Sequence, residues 1–185
     1  MMDQVLSVVV NDLNHILKQR IGIAEDVVEL SALANPNNSG ATQGTNKIRC
    51  SLINVEQEQI NLNASAGRPV KNNPPTILNL FVLFSVYQPA DYREALKAFS
   101  SVLGYFQAKP LFSHQNTPAF PANVDKITVE SINLERSEMS HIWTAIGSEH
   151  LPFILYKWRM LSTAGDLIFK EFPEIKDPTA GLAPQ

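Results

Sequence analysis

Thr76-Ile77-Leu78-Asn79-Leu80-Phe81-Val82-Leu83-Phe84-Ser85-Val86-Tyr87 lies between two punctuating pairs, Pro74-Pro75 and Gln88-Pro89. Proline fixes its own φ and pushes the residue before it away from helix, so both ends of the stretch are marked. With a period of two, Leu78, Leu80, Val82, Phe84 and Val86 share one face. Ile77, Asn79, Phe81, Leu83, Ser85 and Tyr87 share the other. One face is wholly apolar and the other nearly so, the pattern of a central strand covered on both sides. A membrane helix needs roughly 20 apolar residues, more than this run supplies. A buried helix is the competing reading, and the flanking prolines with the β-branched and aromatic content favour strand.

The preceding segment, Lys47 to Leu62, reads as a partner strand with a break. Ile48, Cys50 and Leu52 alternate, Ile53 and Val55 take the opposite phase, and Ile60 and Leu62 return to the first. A phase flip of this kind predicts a bulge. The polar connection Asn63 to Asn73 makes the two strands an antiparallel pair. Upstream, Gln4 to Arg20 has helical spacing of Val5, Val9, Leu13, Ile16 and Leu17, with Gly22 as the stop. Val27, Val28, Leu30 and Leu33 form an apolar segment of undecided type. Asn35 to Asn46 has little to bury and reads as an exposed loop.

Downstream, Asp91 to Gln107 is a helix whose stripe holds Tyr92, Ala95, Leu96, Phe99, Val102, Leu103 and Phe106, with Ala90-Asp91 as its N-cap region. Residues 108 to 124, with Pro110, Pro118 and Pro121, read as a loop with little regular structure. Lys126 to Leu134 is a strand. Ser137 is placed as the cap of a short helix carrying Met139, Ile142, Trp143 and Ile146, ended by Gly147. Phe153 to Leu161 is a last strand with Ile154, Tyr156, Trp158 and Met160 on one face. The order predicts an α+β domain over residues 1–165: one mostly antiparallel sheet with packed helices. Residues 166–185 read as a C-terminal tail or arm.

Composition bounds the function. The 185 residues are 44% hydrophobic, enough to bury a core without staples. Net charge is −3 with the signs interspersed, so no basic stripe marks a nucleic-acid binder and no charge run marks a membrane-surface patch. Asp3, Asn11, Asp12 and Asn14 interrupt any signal-peptide core, and a single Cys50 cannot form an internal disulfide; both fit a reducing cytoplasm.

Chemical motifs are weak. His15, His114, His141 and His150 are scattered, without zinc-ligand spacing, and His141 reads as a structural histidine. Gly40 to Lys47 faintly resembles a phosphate loop but lacks the Gly-Lys-Ser/Thr ending and precedes a strand rather than a helix. Glu56 and Glu58 can point to one side of a strand as paired acids do in glycosidases; a solvated strand face is the stronger reading. No Gly-x-Ser-x-Gly elbow occurs. The expectation is a protein that is not an enzyme, with no cofactor and no metal. Lys157 and Arg159 on one strand face can meet phosphate, carboxylates of a neighbouring subunit, or water. Ile168, Phe169, Phe172 and Ile175 are too many apolar side chains for a solvated tail and suggest an interface.

Taken together, the N-terminal helix, the strand Ile48 to Val55, the proline-led strand start Pro74 to Leu80, and the helix with Leu103-Gly104 resemble a known family. So do Ser137-Glu138-Met139-Ser140-His141-Ile142-Trp143 and the strand Phe153 to Arg159 ending Tyr-Lys-Trp-Arg. These are packing features shared with the cap, or tail-terminator, proteins of phage-tail-like contractile injection systems. The resemblance covers roughly residues 1 to 165. It departs at Phe84-Ser85-Val86-Tyr87-Gln88-Pro89, where the family usually has a tyrosine and small residues. It does not carry over the second C-terminal domain that some relatives have.

The resemblance implies a tail-terminator-like fold and a structural role: a homo-hexameric ring on the end of the inner tube that also engages the sheath and ends the growth of both. Its implied partners are further copies of itself, the inner tube protein and the sheath protein, with no nucleic acid and no direct membrane insertion. It implies assembly in the cytoplasm, within a particle that is either released or membrane-anchored. The alternative from a different class is a small-ligand or peptide-binding α+β module.

Overall fold

A computed structural model describes residues 1–22, 24–33, 48–58, 76–86, 92–147 and 151–162. The elements are α1 (Met2–Ile21), β1 (Val28–Leu30), β2 (Ile48–Glu58), β3 (Thr76–Val86), α2 (Tyr92–Ala108), β4 (Leu111–Ser113), β5 (Val124–Ile132), α3 (Arg136–Ile146) and β6 (Phe153–Ser162). The expected exposed loop Asn35 to Asn46, the connection Asn63 to Asn73, the returning Ile60 and Leu62, the cap region Ala90-Asp91, His150 and the tail 166–185 lie outside the described residues.

The six strands form one sheet in the order β1-β2-β3-β6-β5-β4. The predicted central strand is central: β3 pairs antiparallel with β2 on one side and β6 on the other. Among the described strands only β1 runs parallel to its neighbour, so the sheet is mostly antiparallel. The bulge read from the phase flip is present as a register shift between Leu52 and Asn54, with Ile53 the extra residue. Past it, Val55 rather than Asn54 shares a face with Leu80.

Both long helices lie on one sheet face. Val5, Val9, Leu13 and Leu17 of α1 join Val102 and Phe106 of α2 against Leu80, Val82, Phe84, Ile127, Trp158 and Met160 in a single core. Its centre is aromatic: Phe106 stands 4.7 Å from Tyr156 and 5.3 Å from Phe84, ring centre to ring centre. Tilted and edge-on contacts like these add to the area term of burial. The C-terminus of α1 is set by Gly22, whose φ of 72° is left-handed and returns its N–H to the Lys18 carbonyl.

Three readings need correction, and one open reading is decided. The stripe on α2 is rotated: Ala95, Ala98, Val102, Tyr105 and Phe106 are buried, whereas Tyr92 and Leu96 are exposed. Tyr105 lies outside the stripe read from sequence; its hydroxyl donates to Asp12 of α1, which lets the ring go inside. The loop 108–124 holds β4, paired to β5 through Phe112↔Ile127. Asn116 braces it, with its side-chain carbonyl accepting the Ser113 N–H and its amide donating to the Leu111 carbonyl. The cap of α3 is Glu135, not Ser137: the Glu135 N–H donates to the Glu138 carboxylate at 2.8 Å in a capping box. A Glu three residues after the cap shifts the start two residues earlier than a serine-only rule predicts. Finally, the segment of undecided type holds a strand, β1 (Val28–Leu30), which Val27 precedes.

Candidate assembly interface

The sheet face turned away from α1 and α2 carries the residues read as an interface. Register places Glu56 and Glu58 of β2 beside Asn79 and Ile77 of β3, then Arg159 and Leu161 of β6, then Thr128 and Lys126 of β5. Phe81 lines up with Lys157, and Lys157 with Glu130. This surface is mixed. Ile77, Leu83 and Leu155 are buried on it, while Lys157, Arg159 and Glu58 are half-exposed.

Arg159 is not free to meet a phosphate. Its Nε donates to Glu58 Oε2 at 2.8 Å and its Nη2 to Glu58 Oε1 at 3.0 Å, a two-point contact reaching diagonally across β3. That contact, with the charge of the guanidinium behind it, holds the Glu58 carboxyl below its ordinary value, and Glu58 in turn raises Arg159. A carboxyl depressed in the folded state adds stability above its unfolded pKa, and that stability is lost as pH falls through the folded one. The pair is about two-fifths exposed on each side, so water screens it. The structure therefore separates the two candidate acids. Glu58 is an ion-pair partner and Glu56 a solvated neighbour. Under the pair sits Asn79, 7% exposed, whose Oδ1 has no hydrogen-bond partner among the described residues.

Lys157 adds positive charge near Glu58 and faces Glu130 across the strands. The remaining expected interface residues, Ile168, Phe169, Phe172 and Ile175, lie outside the described residues. At one end of the sheet α3 folds over this face, with Trp143 edge-on to Phe153 at 5.4 Å. Between α2, α3 and the sheet end opens a cleft of about 330 Å³ whose lining mixes apolar side chains with Asn133.

Cys50 is fully buried, and burial pushes its thiol far up from the reactive range. His15 contacts Gln19, His114 contacts the Val124 carbonyl, and His141 is exposed on α3. Among the described residues no three His, Cys, Asp or Glu side chains gather as a metal-binding group. No helix among them is long and apolar enough to cross a membrane. Sequence reasoning missed the Glu58–Arg159 contact, since 101 residues separate the two and no local spacing signals it.

The sequence profile of the Pvc16 N-terminal domain family matches residues 5–176. No curated protein matches the chain. Among solved structures, the fold is similar to the sheath/tube terminator of the PVC extracellular contractile injection system in its extended state. That match has 12% identity and a TM-score of 0.52, over 94% of this chain and 64% of that one. It is also similar to the anti-feeding prophage tube-terminating cap, at 12% identity and a TM-score of 0.50, over 94% of this chain and 62% of that one. At this identity the likeness is one of fold, and the chain spans less than two-thirds of either terminator.

Proposed function

This chain belongs to the Pvc16 N-terminal domain family, and we propose that it is a non-enzymatic cap that ends the inner tube and sheath of a contractile injection particle. The observation that carries this reading is the family match over residues 5–176, joined to a fold similar to two tube terminators. A growing stack ends in an unsatisfied heterologous surface, and a ring that matches it on one face only stops propagation. The proposed form is a six-membered ring whose partners are further copies of itself, the inner tube protein and the sheath protein. It assembles in the cytoplasm.

The mixed sheet face suits contact with protein rather than a reaction. It offers apolar side chains among paired and unpaired charges, the composition of a non-obligate interface. Within it Lys157 is the proposed contact to a neighbouring carboxylate, because Arg159 already has Glu58. The small-ligand alternative is not favoured by the family.

The test is particle length. Particles assembled without this protein should show tubes of uncontrolled length or sheath that fails to stay extended under negative-stain microscopy, and supplying the protein should restore a uniform length. Identical length distributions with and without it would overturn the reading.

A further inference from the structure

We propose that Asn116 is a strand surrogate: its side-chain amide closes the β4 edge of the sheet against strand addition by a second copy of this chain. Copies are thereby left to meet elsewhere on the molecule. This inference does not depend on the cap reading. Among the described strands, β1 and β4 are the edges of the sheet. The Pro110 carbonyl accepts the Val129 N–H at 2.8 Å, and Phe112 lies opposite Ile127. Backbone groups alternate in direction along a strand, so Pro110 and Phe112 turn theirs to β5 while Leu111 and Ser113 turn theirs outward. Outward groups of this kind are the template on which a further strand pairs.

Asn116 stands where that strand would run. Its Nδ2 donates to the Leu111 carbonyl at 2.7 Å, and its Oδ1 accepts the Ser113 N–H at 2.9 Å. A residue of a parallel neighbour placed opposite Phe112 would make the same pair of bonds. The Ser113 carbonyl is taken too, by the N–H groups of Asn116 at 3.2 Å and Thr117 at 3.0 Å. These bonds occupy every outward group of β4 but the Leu111 N–H. The surrogate is itself held in place: the Thr117 hydroxyl donates to Asn116 Oδ1 at 2.9 Å, and the Lys109 ammonium donates to the Asn116 carbonyl at 2.9 Å. At the other edge Asn14 does the same for β1, pairing both the N–H and the carbonyl of Val28 as an antiparallel neighbour would. The seal matters most at β4. Exposed edges are commonly blunted by charge, proline or a bulge, and Leu111-Phe112-Ser113 carries none of these, whereas β1 has Glu29. Leu111 is 42% exposed, so without Asn116 an uncharged apolar edge would lie open.

The test compares the full chain with Asn116→Ala by sedimentation velocity over a concentration series. The variant should show species of at least twice the parent's mass that grow with concentration, over a range in which the parent's mass is constant. Its Ser113 amide should exchange fast in the dilute protein and regain protection as the larger species forms. Adding Leu111→Lys to Asn116→Ala puts a charge on the reopened edge and should return the parent's mass. Lys109→Met is the control, because it loosens the same loop while leaving the Asn116 side chain in place; it should keep the parent's mass. If Asn116→Ala does not fold, Asn116→Ser replaces it, since a hydroxyl is too short to span both backbone groups. A folded Asn116 variant that keeps the parent's mass at every concentration would overturn the proposal. So would equal association by Lys109→Met, which would assign the effect to loss of stability, or association that Leu111→Lys leaves unchanged.

Discussion

Asn14 of α1 grips Val28 of β1 from both sides: its amide donates to the Val28 carbonyl at 2.8 Å, and its carbonyl accepts the Val28 N–H at 2.9 Å. The same oxygen accepts the Val27 N–H at 3.1 Å. One buried side chain, 4% exposed, thus stands in for a neighbouring strand at the sheet edge. Asn14→Ala leaves these backbone groups unpaired and should cost about 1–3 kcal/mol, read by urea unfolding. Asn14→Asp keeps both acceptor contacts but turns a carboxylate on the Val28 carbonyl, so it should destabilise as well. An unchanged midpoint in both variants would contradict this account.

Phe84 anchors the aromatic core, in ring contact with Phe106, Tyr156 and Trp158 and with no exposed surface. Phe84→Ala should cost about 3–5 kcal/mol through the cavity it leaves. His141 is exposed on α3, and His141→Ala should stay within about 0.5 kcal/mol. Thermal melting of both, with tube length by negative stain, checks the contrast. A His141 variant that melts normally yet yields unterminated tubes would reveal a role that its position does not suggest.

Asp12 joins three elements. It accepts from Tyr105 of α2 and, at 2.7 Å, from Lys109, whose ammonium also donates to the Asn116 carbonyl at 2.9 Å and lies 4.9 Å over the Phe112 ring. Both charges are about one-fifth exposed, so screening is partial. Lys109→Met should cost about 1.5–3 kcal/mol, the range for hydrogen bonds to charged groups. It should also speed amide exchange across residues 111–123 while α1 keeps its protection. Uniform exchange changes over the whole domain would count against a local brace.

Tyr156 is buried beside Phe84 and Phe106, and burial pushes its phenol up from 10.0 to about 12. Because the folded value is the higher one, the neutral ring adds stability that is fully present below the unfolded pKa. It is lost as pH rises through the folded one. Melting temperature should therefore fall between roughly pH 10 and 12, and Tyr156→Phe should flatten that fall. An equal slope in both proteins would assign the loss to other groups.

The sequence by itself determined the elements whose signal is local. Prolines and two-sided apolarity marked the central strand, the phase flip at Ile53 marked the bulge, and the Gly22 and Gly147 stops marked two helix ends. Each depends on neighbouring residues only, through period, φ preference or capping. The antiparallel β2–β3 pair was legible too, because two apolar runs of strand character follow each other with only a polar connection between them. Tertiary structure decided the rest. β1 and β4 are three residues each, too short to carry a period, and exist because Asn14 and β2, or β5, supply their hydrogen bonds. Tyr105 became a core residue only once Asp12, 93 positions away, took its hydroxyl. Likewise Arg159 changed from a free cation to the partner of Glu58 because β3 brings β2 and β6 within one side chain's reach of each other. Pairings of that kind depend on which strands the sheet places side by side, and no spacing along the chain encodes them.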